Sequence, residues 1–307
     1  MKHYKYGIVI LHYKTEKETI ECAKSILNLD GADDAIVLVV DNASGDNSLD
    51  IIKSKFNGYS NVIYLQNNDN IGFSRANNRA YRLLKEKYSV EYIVLLNNDT
   101  VIKQYDFLKK IVEISKMGDY AVLGPDVFAP TSKTHQNPLF LSIPSITELD
   151  SEIQRRKNQL NDLPLAEKQF NKIAQKNRIR SKIPYFILEL KAKIFNRNDN
   201  LFFKYKNPVE NPVLMGACLI FCPEFISKLD EVFMPETQFY YEELILAQRC
   251  KQLNLKTLYT PELKILHYDG AATHKSNKNL SEYISFTINQ TIESYKIYKY
   301  YFYQDKK

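Results

Sequence analysis

The chain has 307 residues, of which 44% are hydrophobic and 25% charged, ordinary figures for a globular protein with room for one large α/β domain or two smaller ones. Its net charge of +6 suits an anionic ligand or a membrane surface and does not by itself point to nucleic acid. No apolar run approaches the roughly 20 residues that span a bilayer.

Gly7–Tyr13 reads as a first buried strand, and Met1-Lys2-His3-Tyr4-Lys5 leads straight into it with no signal-peptide pattern. Thr15 and Glu18 have capping-box spacing ahead of a helix marked by Ile20, Ala23, Ile26 and Leu27. A second buried strand, Ala35–Val40, ends at Asp41-Asn42. A second helix is marked by Leu49, Ile52 and Phe56. Val62–Leu65 is a third strand, and it runs into Asn67-Asn68-Asp69-Asn70-Ile71-Gly72-Phe73 and a helix over 74–87. Tyr92-Ile93-Val94-Leu95-Leu96 is the fourth strand and stops abruptly at Asn97-Asn98-Asp99. This alternation predicts a mostly parallel sheet with right-handed crossovers, flanked by helices.

Three of these strands end in polar residues on one edge: His12-Tyr13, Asp41-Asn42 and Asn97-Asn98-Asp99. Open α/β sheets bind ligands at that edge, and three convergent endings outline a pocket for a polar, phosphorylated ligand. Asp99 suits a hard cation such as Mg2+ or Mn2+ that also holds phosphate oxygens. Taken alone, the triplet also fits a polar turn with Asp99 capping the next helix. Neither a Gly-x-Gly-x-x-Gly after the first strand nor a P-loop motif is present, which argues against a dinucleotide dehydrogenase or a P-loop NTPase.

Residues 120–125 form a further short strand, after which the alternation is lost from Pro130 to Pro212. This stretch is rich in Arg155, Arg156, Lys157, Lys168, Lys172, Lys176, Arg178, Arg180, Lys182, Lys191, Lys193 and Arg197. It reads as a helical insertion, either a solvated excursion or a surface for anionic lipid or a lipid-linked diphosphate. Val213–Phe221 resumes the core, and Gly216 within it hints at close approach by a ligand. Glu242 and Glu243 open a helix on which Arg249 lies two turns further along. Thr257–Tyr259 and Leu263–His267 are short strands. From Leu280 a helix puts Leu280, Tyr283, Ile284, Ile288, Ile292 and Tyr295 on one face, for a membrane surface, a homodimer contact or the chain's own domain. Cys22, Cys218, Cys222 and Cys250 lack zinc spacing, and Cys218 and Cys222, in an apolar run, read as buried free thiols, which fits a reducing cytoplasm.

Val39-Val40-Asp41-Asn42-Ala43-Ser44, Asn70-Ile71-Gly72-Phe73 with Asn77, Leu95-Leu96-Asn97-Asn98-Asp99, Gly216-Ala217, Tyr241-Glu242-Glu243 with Arg249, and His267 occur in the order seen in family 2 glycosyltransferases. The chain most resembles the bacterial rhamnosyltransferase-like branch that builds O-antigens and capsules. The resemblance covers residues 6–125 and 213–275. It implies a GT-A fold, with a nucleotide-sugar-binding half at 1–125 and an acceptor and catalytic half at 213–275, while the basic insertion at 126–212 and the amphipathic tail at 276–307 are not covered by it. It also implies a dTDP- or UDP-sugar donor, Mn2+ or Mg2+, and inversion at the anomeric carbon. Asp41 would then accept from N3–H of the base, with His12 and Tyr13 lining its pocket. Asn70, Gly72, Asn98, Gly216 and Arg249 would contact the donor, and Asp99 and His267 would hold the metal. Glu243 would be the general base, with Glu242 its alternate or its orienter. Two adjacent carboxylates repel, which raises a pKa toward a useful value. The chain departs from the family pattern where Asn97 and Asn98 replace the first acid of Asp-x-Asp, where Glu243 replaces the usual Asp, and where Ile245 replaces a second acid. The implied acceptor is a saccharide or a polyprenyl-diphosphate-linked sugar at the inner face of the cell membrane. A UDP-hexose transferase and a catalytically silent nucleotide-sugar-binding subunit are the alternatives. A nucleotidyltransferase would need a Gly-rich basic loop where Leu11-His12-Tyr13-Lys14-Thr15 stands.

Overall fold

The computed structural model describes residues 3–188, 204–237, 239–268 and 279–303. Lys191, Lys193 and Arg197 of the expected basic insertion lie outside the described residues. The core is a ten-stranded sheet in the order β3-β2-β1-β4-β9-β6-β10-β5. Strands β1 (Tyr6–His12), β2 (Ala35–Asp41), β3 (Val62–Gln66) and β4 (Tyr92–Asn97) run parallel. They are linked through α1 (Glu16–Leu27), α2 (Ser48–Lys55) and α3 (Gly72–Leu83). The short β5 (Thr100–Val101) follows β4, and α4 (Phe107–Met117) leads to β6 (Val122–Ala129). The insertion contributes β7 (Thr134–His135), α5 (Ile146–Asn161), α6 (Leu163–Lys182) and β8 (Val209–Glu210). The remainder is β9 (Cys218–Phe221), α7 (Pro223–Lys228), α8 (Glu242–Gln252), β10 (Thr257–His267) and α9 (Leu280–Tyr303).

The continuous apolar strands are buried on both faces because each face is covered by helices. Ile8, Ile10, Val37, Val39, Val94 and Leu96 point to α1 and α4, where Cys22, Ala23, Ile26, Phe107 and Ile111 meet them. Their neighbours Val9, Ile36, Leu38, Ile93 and Leu95 point to the other layer, against Ala76, Ala80 and Tyr81 of α3, Phe225 of α7 and Leu246 of α8. All four cysteines are buried and unbridged. Burial pushes the Cys22 and Cys250 thiols up to about 12, so they are inert packing groups.

The structure corrects several local readings. The Thr15–Glu18 capping box does not form, because Thr15 Oγ1 donates to Tyr13 O and accepts from Asn98 instead. Asp126 belongs to β6, which runs on to Ala129, and the insertion also builds sheet, since β7 pairs with β6 and β8 with β10. The two short strands at 257–267 are one strand, β10, with a register shift between Thr260 and Lys264. The tail helix packs back on its own chain. Ile284, Ile288, Ile292, Tyr295 and Tyr298 are buried with Leu149 and Ile153 of α5, Ala166 of α6 and Tyr241, Leu244 and Ile245 around α8.

Candidate active site

At the β1–β3 edge the polar strand ends are tied into one network. Asp41 is buried, and its Oδ1 accepts from Ser44 N (3.1 Å) and Ser44 Oγ (2.5 Å) while Gln66 Nε2 donates to Oδ2 at 3.3 Å. Asn42 is the hub of the following loop. Its Nδ2 donates to Asn70 Oδ1 (2.8 Å), and its Oδ1 accepts from Asn67 Nδ2 (2.9 Å) and Ile71 N (3.2 Å). Asn70 Oδ1 also accepts from Gly72 N at 3.1 Å, and Gly72 takes φ +80°, a value that glycine adopts without a Cβ penalty. Lys14 N donates to Ser44 Oγ, which joins the loop after β1 to the loop after β2 and leaves Tyr13 partly exposed at the rim.

His12 does not line this pocket. It is fully buried, with Nδ1 2.8 Å from Thr19 Oγ1 and Nε2 2.8 Å from Ser48 Oγ, so it clamps β1 to α1 and α2. Burial lowers its pKa, which favours the neutral ring. Asn98 likewise turns inward. Its Nδ2 donates to Thr15 Oγ1 (2.5 Å) and Thr19 Oγ1 (2.9 Å), so the amide joins the same clamp and is not a donor contact.

At the end of β4, Asp99 faces His267. The pairing of β5 with β10 sets Thr100 opposite His267, and Tyr268 N donates to Asp99 O at 2.9 Å. His267 Nε2 lies 3.1 Å from Asp99 Oδ1, and Nδ1 is 2.8 Å from Gln136 Oε1. The Gln136 carbonyl faces Nδ1 and so orients the ring with Nε2 toward the carboxylate. Two ligands at about 2.1 Å from an octahedral cation stand about 3 Å apart, so the Asp99–His267 separation fits a divalent metal. Among the described residues no third His, Cys, Asp or Glu joins them, so a cation held here would need further ligands from a bound phosphate or from water.

Across β9, Ala217 O accepts from Asn97 N at 3.0 Å and places Gly216 beside the end of β4. Glu243 Oε1 accepts from Gly216 N at 3.2 Å. Gly216 stands in the turn before β9 and not within a strand, and the group that approaches it is this carboxylate. A Cβ at 216 would come within 2.6 Å of Glu243 Oε1, so only glycine leaves the seat open. Asn137 completes the circuit, with Oδ1 accepting from Met215 N at 2.9 Å next to the His267 partner Gln136. Asp99, His267 and Glu243 therefore share one edge of the sheet.

Glu242 and Glu243 open α8 after two tyrosines in the left-handed region, Tyr240 at φ +68° and Tyr241 at φ +67°. Such angles are costly for bulky residues and persist only where surrounding contacts impose them. Here α9 imposes them. Ser294 Oγ donates to Phe239 O at 2.8 Å, Tyr240 Oη is 3.2 Å from Thr287 Oγ1, and the Tyr241 ring packs on Tyr295 and Tyr298. Glu242 is buried beside Ser74, whose Oγ lies 2.8 Å from Thr237 Oγ1. Burial, then the Glu243 charge, pushes Glu242 up to about 8. Burial also raises Glu243, which remains partly exposed. The arrangement sets a neutral carboxyl behind a second carboxylate whose proton affinity is raised, as a general base needs.

The glycosyl transferase family 2 profile matches residues 7–181, more than half of the chain. The chain belongs to that family. No curated protein matches it. It is similar in fold to the mannosyltransferase PcManGT from Pyrobaculum calidifontis, solved with GDP-Man and Mn2+, at TM-score 0.53 and 12% identity over 90% of this chain and 60% of that one. It is similar also to GalNAc-T7, solved with UDP, GalNAc and Mn2+, at TM-score 0.55 and 12% identity over 87% of this chain and 44% of that one. Staphylococcus aureus TarS in complex with UDP-GlcNAc matches over 41% of this chain at 23% identity and TM-score 0.36, and this chain covers 35% of TarS. The fold is GT-A.

Arg249, expected among the donor contacts, turns to the backbone instead. Its Nη1 and Nη2 donate to Val232 O (3.1 Å) and Glu231 O (3.3 Å), two turns along α8 from Glu242. Gln136, Asn137, Gln66, Ser74 and Thr237 are site or support residues that pattern reading did not single out, and Asn42 stood out as a strand ending but not as a hub. Gln136, Ser74 and Thr237 meet their partners across more than 130 residues of chain.

Proposed function

We propose that the chain is an inverting, metal-dependent glycosyltransferase with a nucleotide-sugar donor, and the observation that carries this reading is the seating of Glu243 on Gly216 N beside the Asp99–His267 pair. The nucleoside would lie along the β1–β3 edge. Tyr13 would sit against the base, Asp41 would take its N3–H once Gln66 yields, and the Asn42–Asn70–Gly72 loop would lie by the ribose and phosphates. Asp99 and His267 would hold Mn2+ or Mg2+, which supplies charge neutralisation to a diphosphate leaving group when bound. In the reaction, Glu243 takes the proton of the acceptor hydroxyl as its oxygen bonds to the anomeric carbon from the face opposite the leaving group. The bond from that carbon to the diphosphate oxygen breaks, and the nucleoside diphosphate departs with the electron pair.

The donor read for this branch is dTDP-rhamnose, with UDP-hexoses as the competing class. The acceptor is a saccharide or a lipid-linked sugar of bacterial surface polysaccharide synthesis at the inner membrane face. The solved neighbours with GDP-Man or UDP and Mn2+ support the donor class and the metal, though not the sugar. A thermal-shift panel of nucleotide sugars with and without Mn2+ tests the reading, since a ligand of the folded state raises Tm. The expected result is one nucleotide class stabilising the protein more with Mn2+ than without it. A flat panel, or activity unchanged in excess EDTA, rejects the metal-dependent transferase.

A further inference from the structure

Helix α6 has two unlike faces. Ala166, Glu167, Phe170 and Asn177 recur at helical spacing on the packed side. Ala166 is buried, Glu167 accepts a hydrogen bond from Ser281 Oγ, and the Phe170 ring stands 5.9 Å from that of Tyr283, so this side belongs to α9. About half a turn round stand Leu165, Lys168, Lys172, Lys176 and Ile179. Leu165 and Ile179 are 50% and 58% exposed. The only acid on the helix is Glu167, on the packed side. Lys168, Lys172 and Lys176 are exposed and make no ion pair among the described residues.

We infer that this face of α6 docks on an anionic lipid bilayer, the lysines meeting headgroup phosphates and the two apolar side chains entering the boundary beneath them. Charge complementarity selects the occupant. A second copy of this chain would set lysine row against lysine row. A nucleic acid would neutralise the lysines but offers no apolar phase to Leu165 and Ile179, whereas the headgroup–acyl boundary accepts both kinds of group. Among the described residues no helix is long and apolar enough to cross a membrane, so such attachment is peripheral. It would also serve the proposed reaction. A polar cleft of about 480 Å3 lies between α6 and the β6–β7 turn, lined by Thr134, Gln136, Asn177 and Arg178 among others. Gln136 is the partner of His267, so a docked α6 brings the way to the Asp99 end of the site down to the lipid surface.

The test is co-sedimentation of the full chain with phosphatidylcholine vesicles, with and without phosphatidylglycerol. Binding is expected only with phosphatidylglycerol, and it should fall as salt rises. The triple variant Lys168→Gln, Lys172→Gln, Lys176→Gln should lower the partition on the order of 100-fold, at about fivefold per charge. Leu165→Ser with Ile179→Ser should weaken binding at unchanged charge. All five positions are exposed, and an unchanged Tm confirms that the variants are folded. Absence of binding to either vesicle, equal binding to both, binding to a polyanion such as heparin with none to vesicles, or a triple variant that binds like the parent each overturns the inference. This readout needs neither donor nor acceptor, so it stands or falls separately from the transferase reading. Only the lipid-linked acceptor of that reading links the two.

Discussion

At the β1–β3 edge the polar side chains hold one another. Asn42 gathers Asn67, Asn70 and Ile71, Asp41 gathers Ser44 and Gln66, and every partner lies within about 30 residues in the chain. At the β9–α8 edge most groups are held from further away. His267 is fixed by Gln136, and the strained tyrosines before Glu242 by Thr287, Ser294, Tyr295 and Tyr298 of α9, while Glu243 rests on Gly216, 27 residues upstream. The first edge is a preformed cradle of turns. The second is assembled only when the last helix has docked. Ligand recognition and the acid–base step should therefore break separately, and substitutions around Glu243 should cost turnover before they cost donor binding.

The largest effect is expected from Glu243→Gln. Loss of a general base costs roughly 10²–10⁴-fold in rate, while donor affinity by calorimetry should stay near the parent value. A parallel loss of donor binding would erase the distinction between the edges. Asp99→Ala should abolish the Mn2+-dependent part of the activity. Gln136→Leu leaves both proposed metal ligands in place but removes the group that orients the ring. It should weaken Mn2+ by about 10–100-fold, read from the Mn2+ dependence of the donor-induced Tm shift.

The same contrast explains what the sequence could tell. Strands β1–β4 and their helices were legible because each apolar run is buried on both faces and each crossover is local. The strand endings at Asp41 and Asp99 were legible for the same reason. The roles of individual side chains were less so. His12, Asn98 and Arg249 sit where polar residues meet a ligand edge, yet each turns inward: His12 to Thr19 and Ser48, Asn98 to Thr15 and Thr19, and Arg249 to the carbonyls at 231 and 232. A one-dimensional pattern places a residue at an edge but does not choose between two rotamers that both find partners. The tail shows a second limit. Its apolar stripe was plain, but a stripe fits a membrane, a dimer or a home domain equally well. The choice lay in Leu149, Ile153 and Tyr241, more than 40 residues away.

Because α9 supports the catalytic turn, a core change in it should reach activity. Tyr298 is fully buried against Tyr241, and Tyr298→Ala should cost about 3–5 kcal/mol of stability. It should also lower kcat in the fraction that stays folded, whereas Tyr298→Phe keeps the ring and should restore both. Deleting the chain from Leu280 exposes Tyr241, Leu244 and Ile245 and should yield aggregated protein. A soluble, active truncation would separate α9 from the site. Arg249→Met is a milder test. Removing the guanidinium leaves the carbonyls of Glu231 and Val232 without its hydrogen bonds, at about 1–3 kcal/mol. Donor KM should not move, because the side chain reaches the backbone rather than the cleft.

The smallest effect lies in the shape of a pH curve. The pKa of Glu242 rises from 4.5 to about 8 on folding, so the native state holds this proton more tightly than the unfolded chain does. The stabilisation is complete below pH 4.5 and is lost progressively as pH rises toward about 8. Glu243 shifts in the same direction and adds to the same slope. Glu242→Gln keeps the volume and the contact with Ser74 but has no proton to lose. Its Tm should match the parent in acid, exceed it above neutrality, and fall less steeply in between. Some slope should persist, because Glu243 still titrates. If the parent and Glu242→Gln gave superimposable Tm–pH curves, Glu242 would have to be solvated in solution, and the second edge would lose the buried neutral carboxyl that sets it apart from the first.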